Sequence, residues 1–301
     1  MSRTVTVGID DSPESRAAAG WAAREALLRG LPLKIVHVQE PTPRYMARGP
    51  LPGLDGYRHR AQRLTRETAE SIRRRHPGIE VNTGMLTGTV ADVLCEAAGF
   101  TELLALGSRG LGRFGAFTVG AVSPGVVACA ERPVVLVRAG KPPADEDAAD
   151  SWDLSSSEAP GRPIVLGLDI DRPDETVLEF AFDAAARRKA ALRAVHAWSE
   201  PPPSFSHRAD DTEFHGTLER GQASLLSKVL RPWRQRFPDV DVIEVSRCGR
   251  APRILADDCR GAALLVVGRR IRTGGFGPRI GPVTQSALHH ISAPVAVVAH
   301  G

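Results

Sequence analysis

Val7-Gly8-Ile9-Asp10 returns as Leu166-Gly167-Leu168-Asp169, 159 residues further along the chain. In each copy an apolar run ends in a glycine and an acid, the pattern of a buried strand whose tip opens into a turn. Val36-His37-Val38 answers Val195-His196-Ala197 at the same spacing. Two inserted residues then move the register to 161, at which Gly88 matches Gly249, Gly107 matches Gly268, Gly120 matches Gly281, Ser123 matches Thr284 and Pro133 matches Pro294. A register held over such a distance marks an internal duplication, and 301 residues divide into two domains of ordinary size. The predicted domains are residues 1–140 and 162–301. The segment 141–161 between them is rich in Pro, Ser and acids (Asp145, Glu146, Asp147, Asp150, Asp153, Glu158) and reads as a solvated linker.

Within the first copy, short apolar runs at 4–9, 33–38, 80–86, 103–106 and 134–137 predict strands. Longer stretches with helical spacing lie between them, at 14–29, 57–76, 89–98 and 119–130. Nearly continuous apolar strands alternating with helices specify a parallel sheet covered on both faces, with right-handed crossovers. The expected fold class is therefore α/β: two tandem, doubly wound, five-stranded and mainly parallel sheets of Rossmann-like type. In such sheets a ligand lies beyond the carboxyl ends of the strands, where the winding reverses.

At that place the first copy reads Gly107-Ser108-Arg109-Gly110, then nine residues, then Gly120-Ala121-Val122-Ser123 at a predicted helix start. Glycines let a backbone approach an anion closely, and the unpaired amides of a helix N-terminus point toward negative charge. Glycines by themselves make turns. Here the run follows a predicted strand, opens a predicted helix and faces the acidic tip at Asp10, so a polyphosphate cradle is the better reading.

The spacing Gly-x-x-Gly, nine residues, Gly, small residue resembles the ATP-binding motif of the universal stress protein family, and the likeness extends over both copies. The opening Val7-Gly8-Ile9-Asp10-Asp11-Ser12, the strand end His37-Val38, Gly88 before a helix and Arg132-Pro133-Val134-Val135 before the last strand strengthen it. The resemblance implies a site in which Asp10 lies near the ribose or phosphates and the backbone of Val38 reads adenine. Gly107, Arg109, Gly110, Gly120 and Ser123 would surround ribose and phosphates, with Gly8, Ile9, Ser108, Ala121 and Val122 completing the set. ATP is the implied ligand, with Mg2+ entering through the phosphates. Ala121 stands where the family usually has Ser or Thr, so one phosphate-binding hydroxyl is lost and Ser123 is the nearby one. The second copy departs further: Ile271 replaces a glycine and Pro282, which has no N–H, replaces the small residue, so its cradle is expected to be impaired. Arg269, Arg270, Arg272 and Arg279 leave room for an anion there, but a structural role is preferred.

The implied function is that of an ATP-binding regulator of the stress response, with at most slow hydrolysis or autophosphorylation. No G-x-x-x-x-G-K-[ST] loop and no G-x-S-x-G elbow is present. The competing readings are an interaction module that no longer holds nucleotide and, more distantly, an enzyme of the adenine-nucleotide alpha-hydrolase type. Arginine supplies nearly all of the 39 cations and is scattered rather than striped, which argues against a nucleic-acid partner. No segment approaches the length of a membrane span, giving an expectation of a cytoplasmic protein. Cys95, Cys129, Cys248 and Cys259 form no C-x-x-C pair and read as separate thiols, with neither a zinc site nor a disulfide framework. His37 and His196 read as satisfied strand histidines, and no metal site is expected. The segments 40–55 and 200–211 read as lids or plain linkers. The last strands of the two copies are expected to pair with each other, covering two exposed edges; homodimerisation stays open.

Overall fold

The computed structural model describes residues 3–40, 54–108, 122–139, 161–200, 212–271 and 280–301. The loops 41–53 and 201–211, the greater part of the linker, and Arg109, Gly110, Gly120, Ala121, Arg272 and Arg279 lie outside them. Two compact units are present, Met1–Ser156 and Ser157–Gly301.

The first unit alternates strand and helix throughout: β1 (Val5–Gly8), α1 (Pro13–Arg29), β2 (Leu33–Gln39), α2 (Leu54–Arg75), β3 (Val81–Thr87), α3 (Val90–Gly99), β4 (Leu103–Gly107), α4 (Val122–Cys129) and β5 (Val134–Val137). Its strands pair in parallel in the order β3-β2-β1-β4-β5, with Gly8 opposite Val36 on one side and Leu106 on the other. The order reverses between β1 and β4. Val5, Val7, Ile35, Leu104 and Val135 are fully buried, as strands covered on both faces require. Helices α1 and α2 adjoin one another, as do α3 and α4.

Local sequence explains where α1 begins and ends. Ser12 is the N-cap and its Oγ accepts the Ser15 N–H at 3.1 Å, Pro13 follows, and Gly30 closes the helix at φ 63°. Inside α1, Glu25 is buried but holds Arg29 at 2.6 Å, one turn away, so its charge is compensated. The second unit repeats the plan with β6 (Ile164–Gly167), α5 (Glu175–Arg188), β7 (Leu192–Trp198), α6 (Thr212–Arg236), β8 (Val242–Cys248), α7 (Ala251–Asp258), β9 (Leu264–Arg270), α8 (Pro282–His290) and β10 (Val295–His300), in the parallel order β8-β7-β6-β9-β10. Phe182 of α5 stacks on Trp233 of α6 with ring centroids 5.8 Å apart, which adds an aromatic layer under that sheet. No helix among the described residues is long and apolar enough to cross a membrane.

The expectation of four separate thiols needs correction. Cys95 of α3 and Cys129 of α4 are disulfide-bonded, with Cα atoms 6.1 Å apart. Their separation of 34 residues hides a contact that the fold creates: α3 and α4 lie side by side, with Gly125 of α4 facing Ala91 of α3. The matching residues of the second half, Ala256 and His290, cannot form such a bridge. Cys259 is a buried thiol that burial pushes up to about 12, and Cys248 is exposed. Closing a loop of this length removes chain entropy equivalent to about 3–4 kcal/mol from the unfolded state. Urea denaturation under oxidising conditions should therefore place Cys95→Ser/Cys129→Ser below the wild type by about that amount. In excess reductant the two proteins should coincide.

Candidate functional site

At the carboxyl end of β1 the chain turns sharply. Ile9 is buried and its N–H donates to the Val36 carbonyl at 2.9 Å, carrying the ladder one residue past the strand. Asp10 then faces out, where its Oδ1 accepts the Ser12 hydroxyl at 2.6 Å and the Ser12 N–H at 3.1 Å. This Asx arrangement holds the acidic tip in place. Asp11 takes a left-handed backbone, φ 69°, which is uncommon for a residue with a side chain and aims its carboxylate at two guanidinium groups. Arg16 hydrogen-bonds one oxygen and Arg60 of α2 approaches the other at 3.4 Å; the Arg16 contact above all holds the Asp11 carboxyl below the usual carboxylate range.

Across the reversal, β4 ends at Gly107. An added Cβ on this glycine would stand 2.6 Å from the Glu14 carbonyl carbon and the Ser15 nitrogen, so the first turn of α1 rests directly on it. Ser108 is buried and its N–H donates to Val137 at 2.7 Å. Helix α4 begins at Val122, and the Ser123 hydroxyl donates to the Gly107 carbonyl at 3.2 Å. In the second half Thr284 does the same to Gly268 at 3.0 Å, so this hydroxyl pins the helix start to the matching glycine in both copies. Val38, half-buried, lies near the end of β2 opposite Leu86, and Gly8 is hemmed in by Leu106 and Leu94. Asp10, Gly107, Ser108, Val122 and Ser123 thus lie around one reversal point, with Gly8 and Ile9 beneath them.

The second half differs where its sequence differs. Strand β9 does not stop at the matching glycine but runs on, pairing Arg269 with Ala299 and Arg270 with His300, and the Ile271 N–H donates to the His300 carbonyl at 2.6 Å. Residues that would form the start of a phosphate loop are used as sheet. Arg269 is buried, and the His300 ring lies over Gly268, with its Nε2 2.8 Å from where a Cβ would be. A cavity of about 450 Å3 nevertheless remains at this end of the sheet, reaching from His196 and Ala197 to Gly281 and Thr284, with Asp169 between.

The two strand histidines also differ. His196 Nδ1 lies 3.3 Å from the Leu168 carbonyl and Nε2 lies 3.1 Å from the Gln222 side-chain Oε1; with Nδ1 donating to the carbonyl, the ring is satisfied when the Gln222 carboxamide is turned to present its NH2 to Nε2. His37 departs from the expectation of a satisfied histidine: Nδ1 reaches the Ile9 carbonyl at 2.8 Å, while Nε2 is buried with no partner among the described residues. The sequence motifs also pass over the Asp11 geometry and the α1 contact on Gly107. The only signal for the latter is the glycine itself.

Comparison with known proteins follows the same division. A family model described as the universal stress protein family matches residues 1–138 and again 161–299. A universal stress protein of Mycolicibacterium smegmatis is 30% identical over 302 residues, covering 98% of this chain and 96% of that protein. One from Mycobacterium tuberculosis is also 30% identical over 302 residues, covering 97% of this chain and 96% of its own length. Among solved structures, a universal stress protein from Archaeoglobus fulgidus has a TM-score of 0.67 at 18% identity and covers both chains in full, which supports the fold.

Because any side chain at position 107 meets backbone, Gly107→Val should cost about 1–3 kcal/mol in chemical denaturation. Gly99→Ala, at a position with no atom within 4 Å of the new methyl group, should change stability by roughly 0.5 kcal/mol or less.

Proposed function

Because the chain belongs to the universal stress protein family, we propose that its first half binds ATP and that the protein acts as a nucleotide-responsive regulator of the stress response. One arrangement carries this reading. In the first half the end of β4 at Gly107, the start of α4 tied to it by Ser123 and the fixed acidic tip at Asp10 converge at the winding reversal. In the second half the corresponding segment stays in the sheet through Arg270. Backbone amides at a reversal point can serve an anion only where they are not already committed to a neighbouring strand.

The residues present suit the ligand. The start of α4 offers amides and a favourable dipole to the phosphates, and its register against β4 is fixed by the Ser123 hydroxyl. Arg109, Gly110, Gly120 and Ala121 complete the phosphate side in this reading, and Val38 meets the base from the end of β2. The cavity in the second half is of a size common for small-molecule sites, so the fold has room for a ligand at this end of a sheet. Mg2+ would be carried by the phosphates. The second half is assigned a structural role.

ATP with Mg2+ at 100 times its dissociation constant should stabilise the protein by about 2.7 kcal/mol. Replacing Gly110 and Gly120 together with valine should abolish that gain, whereas Gly281→Val should leave it intact. A wild type whose melting is indifferent to ATP would overturn the assignment.

A further inference from the structure

The duplication provides an internal control for His37. The Ile9 carbonyl, 2.8 Å from Nδ1, can only accept, so Nδ1 carries the hydrogen and Nε2 of the neutral ring is a bare acceptor. His37 is 8% exposed and this nitrogen has no partner among the described residues. In the second half the same nitrogen of His196 has the Gln222 carboxamide 3.1 Å away, and the tautomer set by the Leu168 carbonyl requires that amide to turn its NH2 toward the ring. The two helices concerned align at a spacing of 161, as their common anchors show: Arg73 donates to the Val81 carbonyl and Arg234 to the Val242 carbonyl. At that spacing Gln222 corresponds to Ala61. The first half lacks the amide, and a cavity of about 420 Å3 lies there, lined by His37, Ala61 and Leu64 together with Asp10, Asp11, Ser12 and Arg60.

Two further substitutions separate the halves at this spot. Asp11 stands where the second half has buried Ile170, and Arg60 where it has Gly221. The first half thus has a carboxylate, a guanidinium and a cavity where the second has a buried isoleucine, a glycine and an amide. Buried acceptors without donors cost free energy that a bound donor recovers, so the vacancy favours a particular kind of group.

The geometry points to a binding pocket for an amino group flanked by a hydrogen-bond acceptor. The amino hydrogens would satisfy His37 Nε2 and the adjacent carboxylates, and the acceptor would face Arg60. A primary carboxamide has this pattern, as does the aminopyrimidine edge of adenine. A tertiary amide, which offers the carbonyl without an N–H, leaves Nε2 unsatisfied and is disfavoured. If the occupant is the base of a nucleotide, the pocket is a specificity determinant for the site proposed above and rests on that reading. If it is a separate small amide, it does not.

The test is the 15N resonance of His37 Nε2 in the full chain, with His196 as a reference in the same spectrum. Acetamide, N,N-dimethylacetamide and AMP are titrated separately, and nucleotide binding is followed in parallel by calorimetry. The resonance should move with acetamide or with AMP, and not with N,N-dimethylacetamide, which has no N–H to donate. Response to acetamide identifies a free amide site; response to AMP alone identifies the base edge. Ala61→Gln should abolish the response while His196 stays in place, and Gln222→Ala should make His196 responsive to acetamide. The proposal is overturned if Nε2 of His37 is unmoved by both acetamide and AMP, or if Ala61→Gln responds as the wild type does. AMP that binds calorimetrically without moving His37 overturns the base-edge pocket and leaves the nucleotide site standing. Acetamide that moves His37 when no nucleotide binds does the reverse.

Discussion

Hydrogen bonding of β1 on both edges is the constraint from which the first half's site derives. Val5 to Gly8 pair with β2 on one side and β4 on the other, and the winding changes direction across that strand. Two outgoing loops are therefore forced to diverge above it, one carrying Asp10 and the other leaving Gly107. No single side chain creates the crevice. It is the space left when parallel strands joined by right-handed crossovers run outward from a shared centre.

Packing then determines how open that space is. The first turn of α1 sits on Gly107 so closely that only a glycine is accommodated, and the Ser123 hydroxyl ties the start of α4 to the same residue. The disulfide joins α4 to α3 at its far end. Helix α4 is thus held at both ends, by a hydrogen bond and by a covalent bridge. In the second half the hydrogen bond survives as Thr284 to Gly268, the bridge is absent, and β9 and β10 extend by pairing Arg269 and Arg270. Duplication supplied two equal frames, and their sequences have since spent them differently.

Much of this was legible in the sequence because it depends on period and spacing. Apolar runs such as Leu103 to Leu106 and Val134 to Val137 become strands at those positions, and the match of Gly107 with Gly268 places the two glycines in corresponding strands, β4 and β9. What the sequence concealed depends on contacts between distant elements. Cys95 and Cys129 meet only because two helices lie side by side, and the left-handed turn at Asp11 answers to Arg16 and Arg60 rather than to its neighbours in the chain. The difference between His37 and His196 is of the same kind: identical residues at matching strand positions, distinguished by a glutamine on a helix one crossover away.

The central claim is that the first half, and not the second, receives the nucleotide. Crystals of the full chain soaked with ATP and Mg2+ test it most directly. The account predicts density for base, ribose and phosphates at the carboxyl ends of β1 and β4, beside Asp10 and Ser123, with the matching end of β6 and β9 empty of nucleotide. Density confined to the second half, or none in either, would contradict it.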